Sequence, residues 1–534
     1  MAPATAVGSG APPRQVDNLS ELLMKHTQER PERIAVGTSD LQLVLCYRQL
    51  NGLVRSASAQ LSQLGVQRGD AIALISDNNV EFVVALLAII SSGAIVVPLN
   101  PALTPSELHV RFSELPIRAL LVPQHHAAQI DLWGTMANCA RRWIIGVDGS
   151  GESATVRVTS ANGQTIESVA DAPGSFPFTI NADVALVMFT AGSTSAPKAV
   201  PLTHRNVAES IHGITTVYDL SPQDATLIVM PLFHGHGLVA GLLSTLASGG
   251  SAYLPSTGSF SAHRFWPDMA RVGATWYTAV PTIHRILVNR ADQEYPRSSP
   301  VALRFIRSCS APLDIDLATA ANNAFHTPII AAYGMTETSH QATSNPLPSH
   351  RSNKARSVGL PTGLDLRIAI GDRLDAAVDE VGEICVRGPA LTSGYLNNPN
   401  ANADSFVDGW FRTGDLGSLD REGYLFIKGR LKEIINRGGE KIAPSDIDTV
   451  LLSNPKVFEA ASFGEPDTIY GEAVQAAVIV RPGMQATEDE LRDYCRSALV
   501  NYEVPERIHI VTDFPRTAKG SIDRSALARR FVTT

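Results

Sequence analysis

Two apolar runs flank an apolar helical segment between residues 70 and 98, and this pattern limits the possible fold more than any other part of the chain. Residues 70–75 have the composition of a buried strand, residues 80–90 have the length of a helix, and residues 94–98 form a second short apolar run. Strand and helix patterns continue to alternate through much of the first 350 residues. Such alternation predicts α/β layers around a parallel sheet.

The chain is long enough for several packing units. Its 534 residues correspond to about three or four units of ordinary domain size. From about residue 355 the pattern changes to short strands and turns, with residues 382–388 as the clearest strand, which predicts a small β-rich subdomain. Mixed α/β character returns past Gly429, with a strand predicted at 473–480 and a helix at 489–499.

These changes in pattern predict how the chain is divided. Residues 1–18 are rich in Ala, Pro and Gly and lack the charged and apolar regions of a signal peptide, so we interpret them as a flexible tail. Residues 19–428 are expected to form the N-terminal domain and residues 429–534 the C-terminal domain. The predicted linker between them lies at residues 428–432.

Composition excludes several classes of function. Hydrophobic residues make up 44% of the chain, the net charge is −8, and no block of Lys and Arg is present, so we expect no nucleic-acid partner. The five cysteines are far apart without a C-x-x-C pair, which favours a reducing cytoplasm over a zinc or disulfide framework. The longest apolar run, at residues 82–98, is interrupted and short for a membrane span, so no membrane partner is expected.

A loop at residues 190–199 has the composition of a phosphate-binding segment. It follows an apolar run at 184–189 and reads Thr-Ala-Gly-Ser-Thr-Ser-Ala-Pro-Lys-Ala. Gly192 lets the backbone approach an anion closely, and Lys198 supplies positive charge among several hydroxyl and N–H donors. The spacing matches neither the P-loop nor the dinucleotide-binding pattern. Taken alone, the segment is also compatible with a polar surface turn.

Four later segments carry groups that suit a nucleotide. Residues 332–337 offer the ring of Tyr333 for base stacking, the hydroxyl of Thr336 for a phosphate and the carboxylate of Glu337 for Mg²⁺. Asp415 follows a glycine turn, where it can accept hydrogen bonds from ribose hydroxyls, and Arg430 can bind the same sugar or a phosphate. The fourth segment, residues 436–444, contains a Gly-Gly turn. Each has an ordinary structural explanation, but their joint order indicates a nucleotide site.

With these motifs in this order, the chain resembles the adenylate-forming superfamily of acyl-CoA synthetases, luciferases and nonribosomal peptide adenylation domains over residues 20–530. The segments at 231–238, 275–284, 304–310 and 344–348 look most like oxalyl-CoA synthetases. The resemblance implies an α/β fold: two α/β subdomains plus a β-barrel subdomain, followed by a small mobile α+β domain. It also implies two steps, in which an acid attacks ATP to give an acyl-adenylate and a second nucleophile then displaces AMP.

The resemblance further implies roles for individual residues. Those that would hold the β- and γ-phosphates are Thr190, Ala191, Gly192, Ser193, Thr194 and Lys198. Mg²⁺ would lie near Thr194 and Glu337, and Thr336 would contact the α-phosphate. Adenine and ribose would be bound by Ser310, Ala311, Pro312, Tyr333, Gly334, Asp415 and Arg430. Lys432 would be the hinge, and the acceptor tunnel for pantetheine would be bordered by Gly438, Gly439 and Lys441.

The segments that the family brings together around the acid are unusually polar in this chain. The predicted pocket residues are His234, His236, Arg307, Ser308, Ser310 and His340. Histidine and serine suit a compact oxyanion, whereas pockets for fatty or aromatic acids are lined by apolar side chains. The alternative for His234 and Arg307 is a structural role. Catalytic roles are expected for Thr336, Glu337, His236 and Lys519.

The chain departs from the family pattern near its C-terminus. The family has P-K-T-x-x-G-K, whose last lysine bridges the attacking carboxylate and the α-phosphate, but here Ser521 takes that place and Lys519 stands two residues earlier. A neutral hydroxyl cannot supply the charge that stabilises the transition state. Three explanations remain open: Lys519 reaches the site through a shifted loop, the enzyme is impaired, or its chemistry is altered. Ala191 and Ala199 are milder departures in the phosphate loop.

Three functions follow from these observations. The first is a small-acid CoA ligase that uses ATP, Mg²⁺ and CoA. The second is an ATP-dependent diazotase that activates nitrite and transfers it to an aromatic amine in secondary metabolism, since some members of the superfamily do this. The third is a catalytically silent ATP-binding protein. The expected partners are therefore a small acid or oxyanion and a second nucleophile, either the CoA thiol or an amine.

Overall fold

The computed structural model describes residues 19–161, 183–190, 197–371, 376–516 and 522–531. Its α-helices are α1 (Glu21–Glu29), α2 (Tyr47–Gln63), α3 (Val80–Ser91), α4 (Pro105–Ser113), α5 (Ile130–Met136), α6 (His204–Val217), α7 (Ser244–Ala247), α8 (Ala262–Arg271), α9 (Pro281–Asn289), α10 (Ala291–Glu294), α11 (Ile315–Phe325), α12 (Pro399–Ser405), α13 (Pro444–Ser453), α14 (Glu488–Arg496) and α15 (Arg524–Phe531). Shorter helical turns are the 3₁₀ segments Gln124–Gln129, Gly151–Ser153, Thr336–Thr338 and Leu431–Glu433, and a π-helix spans His236–Leu243.

The strands fall into four sheets. They are β1 (Ile34–Thr38), β2 (Val44–Cys46), β3 (Ala71–Ile75), β4 (Ile95–Leu99), β5 (Ile117–Pro123), β6 (Arg142–Asp148), β7 (Thr155–Ser160), β8 (Val184–Phe189), β9 (Ala199–Thr203), β10 (Ala225–Leu227), β11 (Ser251–Leu254), β12 (Trp276–Ala279), β13 (Phe305–Ser308), β14 (Ile329–Tyr333), β15 (Thr343–Ser344), β16 (Leu360–Pro361), β17 (Asp365–Ala369), β18 (Gly382–Arg387), β19 (Phe406–Val407), β20 (Trp410–Leu419), β21 (Leu425–Arg430), β22 (Ile435–Arg437), β23 (Glu440–Ile442), β24 (Val457–Asp467), β25 (Gly471–Val480) and β26 (Arg507–Ile510).

The predicted strand, helix and strand near residue 80 are β3, α3 and β4. The two strands pair in parallel, as expected for the predicted parallel sheet. Helix α3 begins after Asn79, whose side chain accepts a hydrogen bond from the N–H of Phe82 at 2.7 Å. It is apolar on all sides because α2 packs against it opposite the sheet, so both faces are buried.

Two large sheets form the N-terminal part. The seven-stranded sheet has the order β7-β6-β5-β3-β4-β8-β9, and the nine-stranded sheet has the order β16-β15-β14-β13-β12-β10-β11-β1-β2. Their central strands are parallel, whereas the outer pairs β6/β7, β8/β9, β1/β2, β14/β15 and β15/β16 are antiparallel. The predicted α/β layering is therefore confirmed.

Two smaller sheets follow. Strands β17 to β21 form a five-stranded antiparallel sheet where the β-barrel subdomain is predicted, and β22 to β26 form the sheet of the small C-terminal domain. The strand predicted at 473–480 is found as β25. The helix predicted at 489–499 ends at Arg496 instead, because the N–H of Ala498 bonds the carbonyl of Cys495, three residues back, in a turn tighter than an α-helix. None of the described helices is both long and apolar enough to cross a bilayer.

Candidate active site

The site is built where neighbouring parallel strands of the nine-stranded sheet end. Ala279 pairs with Ser308 across β12 and β13, and Ser308 pairs with Ala331 across β13 and β14. The loops that carry Ser310 and residues 334–340 therefore leave the same edge of the sheet, as expected for a ligand site in an α/β fold. A side chain at Gly334 would place its Cβ 1.7 Å from the carbonyl oxygen of His340, so the tight packing of this loop requires glycine.

Three residues predicted to bind adenosine lie together. The hydroxyl of Tyr333 donates to Asp415 Oδ2 at 2.7 Å, and Arg430 Nε lies 3.1 Å from Asp415 Oδ1. The register of β20 and β21 pairs Asp415 directly with Arg430. A carboxylate held by two donors in this way is fixed in position and still has acceptor capacity for ribose hydroxyls.

The electrostatics of this cluster follow from burial. Burial raises the pKa of Asp415, although Arg430 and Tyr333 oppose the shift by stabilising the charged form. Burial, followed by the charge of Asp415, also raises the pKa of Tyr333 well above its usual range. The phenol therefore stays protonated and acts as the donor of the pair.

A second cluster connects the predicted phosphate loop to Glu337. The hydroxyl of Tyr395 donates to Glu337 Oε1 at 2.7 Å, and Lys198 Nζ lies 4.2 Å from the centre of the Tyr395 ring. Burial and the Glu337 carboxylate raise the pKa of Tyr395, so its proton stays available for this hydrogen bond. Sequence reasoning missed Tyr395, which follows a Ser-Gly turn and belongs to no motif.

The base of the predicted phosphate loop is closed by its two ends. The N–H of Thr190 donates to the carbonyl of Lys198 at 3.0 Å, and the N–H of Lys198 donates to Thr190 Oγ1 at 3.1 Å. The predicted phosphate ligands Ala191, Gly192, Ser193 and Thr194 lie outside the described residues. Lys519 and Ser521 also lie outside them. Thr336 and Glu337 form the 3₁₀ turn that directly follows the Tyr333 strand.

Arg307 organises the predicted acid pocket from behind. Its guanidinium has no exposed surface. The groups bonded to it are Tyr218 Oη at 3.0 Å, Thr278 Oγ1 at 3.1 Å, His340 Nε2 at 3.0 Å and Gln341 Oε1 at 2.9 Å. All four are neutral acceptors, so the buried positive charge is hydrogen-bonded by uncharged groups and can attract an anion in the pocket. Arg307 is enclosed by these residues and acts on the pocket through them.

Histidines 236 and 340 stack in front of Arg307. Their ring centres are 5.1 Å apart with 23° between the planes. His236 Nε2 lies 2.6 Å from Thr278 Oγ1, and its Nδ1 lies 3.1 Å from Ser310 Oγ. Burial, and then the charge of Arg307, lower the pKa of His236 well below its usual range, so the ring is neutral.

Hydrogen-bond donors in this network can be assigned from Arg307 outward. Arginine only donates, so His340 Nε2 is an acceptor and its proton is on Nδ1. Thr278 Oγ1 accepts from Arg307, and its hydroxyl can act as donor or acceptor toward His236 Nε2. The direction of the hydrogen bond between His236 Nδ1 and Ser310 Oγ follows the tautomer of His236. Tyr218, Thr278 and Gln341 belong to this network and were not identified from sequence, where isolated polar residues outside a motif give no signal.

The other predicted pocket residues differ in their surroundings. Ser310 has a φ of 72°, a conformation that non-glycine residues adopt rarely and that is often found at functional sites. Ser308 is buried, and within the described residues its Oγ has no hydrogen-bond partner. His234 is half-buried and packs edge-on against the Phe233 ring, with centres 4.8 Å apart.

The predicted acceptor tunnel and hinge lie in the C-terminal part. Gly438 and Gly439 form the two-residue turn of the β22/β23 hairpin, with φ values of 59° and 95° that favour glycine. Lys441 is exposed on β23. Lys432 lies in the 3₁₀ turn Leu431–Glu433, two residues beyond Arg430, so the predicted hinge directly follows the cluster of Tyr333, Asp415 and Arg430.

The two α/β sheets, the antiparallel third sheet, the small C-terminal domain and this order of site segments define an adenylate-forming, ATP-dependent ligase of the acyl-CoA synthetase class. Comparison with known proteins agrees. The chain belongs to the family of AMP-binding enzymes: the family model matches residues 23–396, and the model of the AMP-binding enzyme C-terminal domain matches residues 446–521.

Its relatives include two enzymes named as oxalate–CoA ligases. The one from Arabidopsis thaliana is 41% identical over 526 residues, which cover 97% of this chain and 99% of the relative. The one from Saccharomyces cerevisiae is 36% identical over 94% of this chain and 95% of the relative. Among solved structures, ATP-bound MatB from Rhodopseudomonas palustris superposes with a TM-score of 0.84 at 26% identity, covering 96% of this chain and 99% of MatB.

Proposed function

We propose that the chain activates oxalate, or an acid of the same size and charge, as its AMP anhydride and transfers the acyl group to CoA. The observation that carries this proposal is the buried Arg307 behind two stacked neutral histidines. A permanently charged, dry guanidinium favours an anion, and the polar pocket wall disfavours an aliphatic or aromatic acid. The names of the two relatives, oxalate–CoA ligases, support the same substrate.

The pocket residues would bind the acid through hydrogen bonds. The hydroxyl of Ser310 would donate to the oxyanion, and the stacked rings of His236 and His340 would form the polar wall beside it. Arg307 fixes the tautomer of His340, and its positive charge would attract the acid electrostatically without direct contact. His234 and Ser308 would complete the wall.

The nucleotide would lie between the two clusters. Asp415 and Arg430 would hold the ribose, Tyr333 with the segment Ser310, Ala311 and Pro312 would face adenine, and Thr336 would contact the α-phosphate. Lys198 and the loop residues Thr190, Ala191, Gly192, Ser193 and Thr194 would bind the outer phosphates. The family resemblance supports this division, and the contacts that join Tyr333, Asp415 and Arg430 are consistent with it.

Glu337 fits a role as a Mg²⁺ ligand. Tyr395 bonds its Oε1, so the carboxylate is oriented, and the acceptor capacity that remains suits a hard cation. Thr194 would share the ion. Bound Mg²⁺ would neutralise phosphate charge during attack on the α-phosphorus.

The two half-reactions would bring different faces of the C-terminal domain to the site. In the first, a carboxylate oxygen forms a bond to the α-phosphorus and pyrophosphate leaves. In the second, the CoA thiolate forms a bond to the acyl carbon and AMP leaves. Rotation at Lys432 would exchange the loop that carries Lys519 for the hairpin of Gly438, Gly439 and Lys441 beside the pantetheine tunnel.

The proposal is tested by supplying MgATP with oxalate, other short acids, benzoate and nitrite, and measuring pyrophosphate release and then thioester by mass spectrometry. We expect release with oxalate and an oxalyl thioester when CoA is added. Release with nitrite alone, followed by a diazo product from an aromatic amine, would contradict the proposal. Absence of release with every acid would identify a silent ATP-binding protein.

The same assay tests the lysine near the C-terminus. If Lys519 supplies the charge for adenylation, Lys519→Ala lowers the rate of pyrophosphate release by several orders of magnitude, whereas Ser521→Ala leaves it nearly unchanged. Equal rates in the wild type and Lys519→Ala would exclude this role for Lys519.

A further inference from the structure

A cluster of two histidines and one aspartate lies at the edge of the seven-stranded sheet, away from the residues assigned to ATP and acid. Asp77 follows β3, and His125 and His126 lie in the 3₁₀ segment Gln124–Gln129 that follows β5. Strands β3 and β5 are parallel neighbours, with Leu74 paired to Leu121. Both loops therefore leave the same edge and bring the three side chains together.

The separations within this cluster suit one metal ion. His125 Nε2 lies 3.0 Å and His126 Nε2 lies 3.8 Å from Asp77 Oδ1, and the three candidate ligand atoms all lie within 4.8 Å of one another. Ligands at about 2.1 Å from a tetrahedral ion are about 3.4 Å apart, between the two distances to Asp77. Small side-chain adjustments would bring all three atoms to an ion.

A second observation concerns His126. Its Nε2 is buried and, within the described part of the chain, makes no hydrogen bond, because the 3.8 Å to Asp77 is too long for one. Buried polar atoms are nearly always partnered, so this nitrogen lacks a partner that an ion would supply.

The surrounding residues hold the candidate ligands in place. The amide of Asn79 donates to Asp77 Oδ1 at 2.7 Å, and the ring of Trp133 packs edge-on against His126 with centres 5.7 Å apart. Such contacts orient metal ligands in many proteins. Asp77 and His125 are only partly exposed, with 39% and 47% of each side chain accessible, which leaves a path for an ion and for water as further ligand.

We propose that Asp77, His125 and His126 form a site for a divalent transition-metal ion of the Zn²⁺ or Co²⁺ kind. Two imidazoles and a carboxylate favour such ions over Mg²⁺, which prefers oxygen ligands. The site adjoins the contact between the two large sheets, because the side-chain amide of Asn78 donates to the carbonyls of Ile228 and Met230 beyond β10. A bound ion would stiffen this contact.

The test uses the full-length chain, freed of metal with a chelator and without ATP. Titration with ZnCl₂ followed by calorimetry should show one site, and CoCl₂ should produce the visible absorption of a tetrahedral ion. A large excess of Mg²⁺ should not displace either ion. Asp77→Asn and His126→Gln should each weaken Zn²⁺ binding at least tenfold.

The matched control is His263→Gln, since His263 is 85% exposed and also lies near a carboxylate, Glu294 at 3.5 Å. It should bind Zn²⁺ as the wild type does. Circular dichroism shows whether each variant is folded, and His125→Gln, at a more exposed position, is a further variant for the same test. Stoichiometric binding that is unchanged in all three site variants, or absence of binding to the folded wild type, would overturn the proposal. Neither result depends on catalysis.

Discussion

Tyr395 shows how one side chain can join charged groups from distant parts of the chain. Its ring lies against Lys198 and its hydroxyl holds Glu337, which is 8% exposed. In the proposed site, Lys198 and a Mg²⁺ ion at Glu337 would balance the negative charge of the phosphates, and Tyr395 contacts both residues. The orientation of Glu337 therefore depends on a residue that makes no assigned contact with substrate.

Removing only the hydroxyl tests this dependence. Tyr395→Phe keeps the ring beside Lys198 but leaves the Glu337 carboxylate without this donor, and a hydrogen bond to a charged group contributes about 1.5–3 kcal/mol. We expect kcat/KM for adenylation to fall about 10- to 100-fold, measured by pyrophosphate release. Tyr494→Phe, which removes a surface hydroxyl that bonds Ser453, should leave the rate unchanged. Equal rates in both variants would show that Glu337 is positioned without Tyr395.

Buried neutral histidines predict how stability changes with pH. Burial lowers the pKa of His284 to about 4, and the side chain has no exposed surface. Between the unfolded value of about 6.5 and this folded value, the unfolded chain binds a proton that the native protein does not, so stability falls as pH falls. His284 alone accounts for about 3 kcal/mol across that window.

The measurement is the melting temperature between pH 7 and pH 4. His284→Gln removes the titrating group, so its melting temperature should fall less steeply with acid than that of the wild type. His263→Gln, at the exposed position, should follow the wild-type curve. If His284→Gln also follows that curve, the native His284 is protonated at the same pH as in the unfolded chain.

Single residues also show the limits of sequence reasoning about the site. Tyr333, Glu337, Asp415 and Arg430 stand in recognisable segments, and the structure places Tyr333, Asp415 and Arg430 in contact. Tyr218, Thr278 and Gln341 could not be found in this way. Their role is to accept hydrogen bonds from Arg307, and only the folded structure brings them to it. The Asp77 cluster required knowledge that β3 and β5 are neighbours, which the order of elements along the chain does not provide.

At the scale of elements, an ion pair joins two helices and a strand of the C-terminal domain. Asp448 on α13 pairs with Arg524 on α15, and both bond to Ser462 on β24. Burial raises the pKa of Asp448, while Arg524 opposes the shift. Arg524 also lies 3.5 Å from Glu433, so the last helix is connected to the turn that contains Lys432.

Neutralising the aspartate should loosen this domain. Asp448→Asn leaves the partly exposed Arg524 with only the more distant Glu433 as counter-charge, at a cost of about 2 kcal/mol. We expect faster amide exchange and proteolysis of α13, α15 and β24, with the two large sheets unaffected. Asp513→Asn, at an exposed partner of Arg530, is the control. Equal exchange in both variants would show that the pair contributes little to the domain.

Helices and strands with a regular apolar pattern were predictable. The end of one helix and the pairing of some strands within the sheets were not. The apolar runs of β3, β8 and α3 identified them within one or two residues. The helix predicted to reach residue 499 ends earlier, because a closing turn rather than hydrophobic pattern sets its limit. The assignment of β1 and β2 to the nine-stranded sheet depends on pairing with β11 and cannot be read from local sequence.

For the whole molecule, the proposed two-step reaction requires the C-terminal domain to turn at Lys432. Proline at this position fixes φ near −65° and restricts that rotation. In Lys432→Pro we expect one half-reaction to persist and the other to slow at least about 100-fold, a loss within the range for misplaced catalytic groups. Single-turnover pyrophosphate release and thioester formation from preformed adenylate measure the two steps separately. Lys432→Ala, which keeps backbone freedom, should perform both, and equal performance by the proline variant would exclude a hinge at this residue.

The pairing of β1 with β11 also constrains how the protein is made. The hairpin of β1 and β2 leaves the ribosome early, but its parallel partner Ser251–Leu254 is synthesised about 200 residues later. At about 5 to 20 residues per second, the hairpin waits about 10 to 40 s for its sheet. During that interval the apolar strand Ile34–Thr38 has an unpaired edge that can pair with another chain. Newly made chains therefore need protection by chaperones more than the finished enzyme does.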